Sequence, residues 1–212
     1  MQVTGSLTLV GGGAFARELI NWAADAARAG RSAPLTGFLD QSAQVLDGFP
    51  YDLAWRGTIE AYAPVDGEQL VVAIADPVAK RRVVEGLRAR GARFASLVHP
   101  TAVIAGSARL GEGVVVCPLS LVSADAQIGE FAAINAMSSV GHDVRLGAFS
   151  TLSAHVDLTG RVEVGECCFF GSGAKVLPGV RIGERSKIGA GTVIMRHVKP
   201  ESVMYTPPAK KL

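Results

Sequence analysis

A histidine followed by an aspartate, His142-Asp143, interrupts a run of small and aliphatic residues that reads SSVGHDVRLGA from Ser138 to Ala148. A neutral imidazole is well suited to take and return a proton near neutral pH. Eighteen residues on stands Gly160, whose backbone N–H no side chain shields, and one hexad back stands Asn135, an amide able to orient a polar ligand. Base, open N–H donor and orienting amide suit acyl transfer. The base deprotonates an attacking amine or hydroxyl, and the N–H stabilises the oxyanion of the tetrahedral intermediate. Asp143 has two readings, as the partner that orients His142 or as half of a salt bridge with Arg161, eighteen residues further on.

A repeat must position these groups. From Thr101 to Arg196 the chain divides into sixteen hexads without insertion. Their fourth residue is always Ile, Leu, Val or Phe, and their second always Ala, Ser, Val, Cys or Thr. Such a period predicts a parallel β-helix. The hexads resemble the left-handed hexapeptide-repeat family, in which three hexads make one triangular coil, the fourth side chain fills the interior and the second points inward near a corner. Sixteen hexads then give a little over five coils. Successive coils stack about 4.8 Å apart, the usual strand spacing. His142, sixth in its hexad, shares a column with Gly106, Ala124, Gly160 and Pro178, so a glycine lies next to the imidazole on the following coil.

Residues 1–97 follow a different rhythm. SLTLV reads as a strand closed by Gly11, Gly12 and Gly13, and AFARELINWAADAARAG as a helix stopped at Gly30. LTGFLD and LVVAIAD read as further strands, PVAKRRVVEGLRARG as a helix opened by Pro77 and closed by Gly91, and FASLV as a fourth strand. Strand, glycine turn, helix and strand predict a small parallel sheet of Rossmann-like βαβ type. The expected organisation is a nucleotide-sugar-binding unit over 1–97 and a left-handed β-helix with a C-terminal tail over 98–212.

Composition narrows the function. The 212 residues are 49% hydrophobic and 19% charged, with a formal net charge of only +2. Basic clusters are short, Lys80-Arg81-Arg82 and Lys210-Lys211, which leaves no electrostatic footprint for nucleic acid. The start, MQVTGSLTLVGGG, lacks the basic and long apolar segments of a signal peptide. No run approaches the roughly 20 apolar residues of a membrane span. Cys117, Cys167 and Cys168 form no CxxC and read as reduced packing thiols. Together these predict a soluble cytoplasmic protein. The spacings among His142, His155 and His197 do not bring three histidines together, so no metal is expected.

The whole chain resembles the bacterial sugar acetyltransferases: a glycine-rich βαβ unit, then HPTAVI, then hexads containing NAMSSVGHD, then a terminal PAK. These include nucleotide-aminosugar N-acetyltransferases of the bacillosamine, perosamine and viosamine type and sialic-acid O-acetyltransferase-like proteins. The resemblance implies a homotrimer with acetyl-CoA between subunits and the sugar nucleotide on the N-terminal unit. It implies His142 as general base, Asp143 as its acidic neighbour, and Gly160 as the amide that meets the thioester carbonyl. The nucleotide sugar is expected at Gly11, Gly12, Gly13, Asp40, Lys80, Asn135 and Ser138, with Asp40 at a position the resemblance places near the nucleotide. Acetyl-CoA is expected at Gly160, Gly171, Gly173, Gly189, Ala190, Gly191 and Lys210. The chain departs from the family pattern at Ala14 and Ala16 of the glycine turn, at Ala75-Asp76, at Thr151 where a second histidine is common, and at Thr206-Pro207-Pro208-Ala209.

The expected activity is acetyl transfer to the 4-amino group of a nucleotide-linked 4-amino-4,6-dideoxy sugar, with a lean to GDP-perosamine. The alternatives are transfer to a sugar hydroxyl and a non-catalytic trimeric scaffold.

Overall fold

The computed structural model describes residues 5–207 and 209–210, so Pro208 and Lys211 lie outside the described residues. The N-terminal unit is a four-stranded parallel sheet formed by β1 (Ser6–Val10), β2 (Leu35–Leu39), β3 (Ala54–Trp55) and β4 (Glu68–Val72), in the order β3-β2-β1-β4. Helix α1 (Ala14–Arg28) buries Ala16, Leu19, Ala23 and Ala26, a spacing that keeps one apolar face inward. Helix α2 (Pro77–Ala89) starts on an Asp76 cap whose carboxylate accepts from Ala79 N at 2.8 Å, with Pro77 pre-set for the first turn.

Two sequence expectations are corrected here. FASLV is not a strand of this sheet: Phe94 makes only an isolated bridge to Leu70, and Leu97–Val98 pairs with Val115–Val116 of the solenoid. The sheet's remaining strand is the two-residue Ala54–Trp55, too short for its periodicity to announce it. LVVAIAD likewise ends its strand at Val72 rather than running to Asp76.

Beyond residue 97 the chain winds as a left-handed parallel β-solenoid with three faces of seven, six and five two-residue strands. The first face holds Val115–Val116, Ala133–Ile134 and Thr151–Leu152; the second holds Leu121–Val122 and Ser139–Val140; the third holds Arg109–Leu110 and Arg145–Leu146. Register runs eighteen residues per coil, as in Ser139↔Asp157 and Val140↔Leu158. Each hexad supplies one strand, and Leu97–Val98 and Val203–Met204 add one at either end. The last pairing, Lys187↔Val203, spans sixteen residues because the hexads have ended.

Second- and fourth-position side chains form one continuous core from Val114 to Val198. Polar second positions hydrogen-bond within it. Ser120, Ser138 and Ser150 each donate to the carbonyl fifteen residues on, at 2.9–3.1 Å. The first residue of a hexad turns the corner in the left-handed region: Leu119, Asp125, Phe131, Met137, Asp143 and Phe149 have φ between 54 and 61°, a conformation that costs most side chains about 1–2 kcal/mol and that coil stacking enforces.

The N-terminal unit packs on the first face and on the corner between the third and first faces. Val115, Ala133 and Thr151, which point outward from the first face, are consequently buried. Val84 and Leu87 of α2 join Phe94, Phe131, Phe149 and Cys167 in one apolar cluster. Around it Arg88 bridges Glu112 and Glu130 of successive coils, each at 2.7 Å, and Arg81 reaches Glu166 at 3.1 Å. These pairs are half exposed and individually weak, so apolar burial carries the docking. His99 ties the first coil to α1 through Asp25 Oδ2 at 3.2 Å.

Candidate active site

His142 occupies the edge between the second and third faces. Gly141 ends the strand side of the corner, and Asp143, at φ 59°, turns it while its N–H bonds Ala124 O at 3.0 Å. That turn brings the Asp143 carboxylate back onto the ring, with Oδ2 at 2.8 Å from His142 Nδ1. An ionised carboxylate only accepts, so Nδ1 carries the proton and Nε2 of the neutral ring keeps its lone pair free. Both side chains are more than half exposed. Of the two sequence readings of Asp143, the geometry matches the partner of His142; among the described residues no ion pair joins it to Arg161.

Gly160 sits against the ring on the next coil. A Cβ there would fall 2.4 Å from His142 Nε2, so only glycine leaves the imidazole its place. The Gly160 carbonyl accepts from Gly179 N at 3.0 Å, and the next amide, Arg161 N, donates to His142 O at 2.8 Å. The Gly160 N–H itself has no partner among the described residues. A base with its lone pair exposed and an open N–H donor therefore share one edge, an arrangement competent for proton removal beside a developing oxyanion.

Asn135 lies elsewhere. It ends a strand of the first face, at the edge shared with the second, one full face away from His142 in the same chain. Its Oδ1 accepts from Ala136 N at 2.6 Å, which leaves Nδ2 to donate. Asn135 lines a cavity of about 170 Å³ between the solenoid and α1, with Thr151, Ser153 and Phe169 on one wall and Phe15, Glu18 and Ala75 on the other. The glycine turn leads into the same place. Gly11 has φ 102°, and a Cβ on Gly12 would overlap Val45 at 2.2 Å. Gly13 caps α1 without a capping side chain, leaving the first N–H groups of a fifteen-residue helix free to meet an anion. Asp40 closes the turn, accepting from Gly12 N at 2.8 Å and Ser42 N at 3.2 Å. A larger groove of about 400 Å³ opens on another side of α1, against Pro50 and Tyr51, away from all these residues.

Two residues assigned to the sugar nucleotide cannot touch it directly. Ser138 is 1% exposed; its hydroxyl donates to Ser153 O at 2.9 Å and accepts from Val156 N at 3.1 Å, because a second-position side chain points into the core. Lys80 is 2% exposed beneath α2, with Nζ 2.9 Å from Thr151 Oγ1. Burial lowers its pKa to about 7.

Toward the C-terminal end, the edge that carries Asn135 loses its side chains. Gly173 and Gly191 turn its corners at φ 72° and 67°, with no atom closer than 3.9 Å to a built Cβ. Gly171 is demanded by stacking, since its Cβ would stand 2.5 Å from Ala190 N, and Gly189 abuts Tyr205. The result is an open lane along the solenoid, with exposed Lys210 in the tail beyond it. Sequence reasoning missed Glu18, Phe15, Thr151 and Ser153 at the cavity. The available signal was the third hexad position. It is small, apolar or uncharged on the covered first face (Val115, Ala133, Thr151, Phe169) and polar or charged on the open third face (Arg109, Gln127, Arg145, Glu163, Arg181). Among the described residues no cluster of three His, Cys, Asp or Glu side chains could hold a metal ion, and no helix is long and apolar enough to cross a membrane.

The bacterial transferase hexapeptide (six repeats) family matches residues 161–196. No curated protein matches the sequence. Among solved structures, the perosamine N-acetyltransferase from Caulobacter crescentus, in complex with CoA and GDP-perosamine, is 32% identical over 97% of this chain and 96% of its own, with a TM-score of 0.81. Variants of that enzyme with one histidine replaced by asparagine or alanine are among the matches. The acetyltransferase domain of PglB from Neisseria gonorrhoeae, in complex with acetyl coenzyme A, is 27% identical over 99% of this chain and 100% of its own, with a TM-score of 0.86. WeeI from Acinetobacter baumannii, 22% identical with a TM-score of 0.83, shares the fold.

Proposed function

The chain belongs to the bacterial hexapeptide-repeat sugar N-acetyltransferases, which use acetyl-CoA, and on that premise we propose that it acetylates the 4-amino group of a nucleotide-linked 4-amino-4,6-dideoxy sugar, GDP-perosamine first among them. The observation that carries the mechanism is the His142 ring, its Nδ1 held by Asp143 and its Nε2 lying over Gly160.

The sugar amine attacks in its neutral form, and His142 Nε2 takes the one proton its nitrogen must then lose from the tetrahedral intermediate. The amine nitrogen bonds to the thioester carbonyl carbon, and the oxygen that becomes negative is met by the Gly160 N–H. Collapse breaks the carbon–sulfur bond; the thiolate of CoA leaves and takes the proton from the imidazolium. Asp143, bonded to Nδ1, fixes the tautomer and keeps the free lone pair on Nε2. The nucleotide's phosphates meet the free N–H groups at the start of α1, with Gly13 allowing close approach. The pantetheine arm follows the open edge at Gly173 and Gly191, and Lys210 meets a CoA phosphate.

In this reading the protein works as a homotrimer, with the N-terminal unit over 1–97 and the solenoid over 98–212 each contributing to every site. Two observations support it. The second face exposes Val103, Leu121 and Val193, flanked by Leu119 and Met137 on its edge, all at least 43% accessible in the single chain. His142 and the Asn135 cavity lie on opposite edges of that face, so a neighbouring copy is needed to bring a base to the cavity. The deciding experiment incubates the protein with acetyl-CoA and GDP-, dTDP- and UDP-linked 4-amino sugars and follows thiol release, with His142→Asn in parallel. Release with one amino sugar, strongly slowed in the variant, upholds the reading. No release across the panel with CoA still bound replaces it with O-acetylation of a sugar hydroxyl, and no release with no CoA bound replaces it with a scaffold.

A further inference from the structure

Lys80 is an expensive residue where it stands. Its ammonium is out of water, and among the described residues no carboxylate lies within ion-pairing distance of it. Docking α2 would be served as well by methionine, since a buried charge must be desolvated and repaid. What the amine does instead is specific. Nζ donates to Thr151 Oγ1 at 2.9 Å and reaches Ser150 O at 3.5 Å.

Thr151 is 4% exposed, and its hydroxyl donates to no group among the described residues. While Lys80 is an ammonium and donates, the Thr151 hydroxyl proton has no acceptor among the described residues, a costly state for a buried group. Thr151 also lines the cavity of about 170 Å³ beside Asn135, Ser153 and Glu18. Asn135 presents a free Nδ2 donor there, Glu18 a carboxylate that forms no ion pair among the described residues, and Phe15 and Phe169 apolar walls. Donors, one acceptor and aromatic walls fit a hydroxylated ring with an apolar face. The volume is well below the roughly 300 Å³ of a pocket for a larger ligand, so it suits one sugar ring rather than a whole nucleotide.

We infer that Lys80 is a positioning residue for the acceptor: it holds the Thr151 hydroxyl so that its proton donates to an oxygen of the sugar ring seated in this cavity. The inference rests on the N-acetyltransferase reading. Lys80 makes no contact with the ligand and acts only through Thr151.

The test compares Thr151→Val, Thr151→Ser, Lys80→Met and the double variant Lys80→Met/Thr151→Val in steady-state assays with GDP-perosamine and acetyl-CoA, after thermal melts confirm folding. Thr151→Val and Lys80→Met each raise KM for GDP-perosamine about ten-fold, the worth of one lost hydrogen bond, while KM for acetyl-CoA stays put. Thr151→Ser keeps the hydroxyl and stays within about two-fold of the unmodified protein. The double variant is no worse than Thr151→Val, because both changes cut the same path. An unchanged sugar KM in Thr151→Val, or a Lys80→Met effect that adds in full to it, overturns the inference while leaving the acetyltransferase reading intact. If the unmodified protein acetylates none of the amino sugars, both fall together. Should Lys80→Met fail to fold, the Thr151 pair still decides: equal sugar KM with valine and serine overturns it.

Discussion

Gly160 and His142 are in contact across two coils of the solenoid: a Cβ on the glycine would meet the imidazole Nε2 at 2.4 Å. One residue thereby supplies both the space for the base and, in the proposed mechanism, the N–H for the oxyanion. The two tasks separate under substitution.

Gly160→Ala leaves the backbone comfortable, since Gly160 is not among the residues with positive φ, but it displaces the ring. A displacement of about 1 Å at a reacting group costs on the order of 10²-fold in rate. Thiol release from acetyl-CoA should fall by about that factor with an unchanged melting temperature. A rate within two-fold of the unmodified protein would mean that the ring does not work from where it stands.

Asp143→Asn is a clean substitution, because asparagine tolerates the left-handed corner and Asp143 is more than half exposed. It replaces the charged acceptor that fixes the ring's tautomer and orientation with an amide that can also donate. The expected loss is about 10- to 100-fold in kcat, with KM for both substrates nearly unchanged. Arg161→Ala, which breaks no ion pair with Asp143, should leave kcat alone. Equal losses in the two variants would restore the salt-bridge reading of Asp143.

Lys80 makes stability depend on pH. Burial lowers its pKa to about 7, with Cys167 and Asp76 pulling it weakly upward, whereas an unfolded lysine titrates near 10.4. Between about pH 7 and pH 10 the unfolded chain holds a proton that the folded chain has released. Stability from this group therefore rises with pH across that window, by up to about 1.4 kcal/mol per pH unit. Below pH 7 both states are protonated and the full burial cost is present. Urea unfolding should show Lys80→Met more stable than the unmodified protein near pH 6.5, with the gap closing by pH 9.5. A gap independent of pH would show that the amine keeps an ordinary pKa.

The seam between α2 and the solenoid should be held by apolar packing more than by charge. Leu87→Ala, at a fully buried position, is expected to cost about 2–4 kcal/mol. Arg88→Ala removes two half-exposed ion pairs and a cation–π contact to Phe131, and is expected to cost less than about 1.5 kcal/mol. Denaturant midpoints of the two variants measure the order directly.

The repeat was legible because its period is set by geometry: each hexad must turn one corner and place a fourth-position side chain inside, from Ile104 to Ile194. The same period located the column that joins His142 to Gly160. It also put Asn135 one hexad, and so one edge, away from His142, but it did not show that the two would then need different copies of the chain to meet, since a count of hexads says nothing about the width of a face. Ser138 lies inside the motif that carries His142, which points to a ligand contact, but its second-position place directs it inward. Lys80 belongs to a short basic cluster that looks solvated; only the docking of α2 on residues some 70 positions away buries it. FASLV illustrates the same gap on a smaller scale, for a short apolar run does not name the sheet it will join.

The span of α2 across the corner has a consequence for how the molecule opens. Coils of a solenoid contact only their neighbours, so such structures fray from their ends one repeat at a time. Arg88 links the coils of Glu112 and Glu130, and Arg81 extends the connection to Glu166. The helix splints the part of the stack that contains His142, whereas the coils from Lys187 to Met204 have no such brace among the described residues. Amide exchange should therefore be slowest around residues 112–166 and quicken toward the last coil, keeping the reacting edge rigid while the lane proposed for CoA breathes.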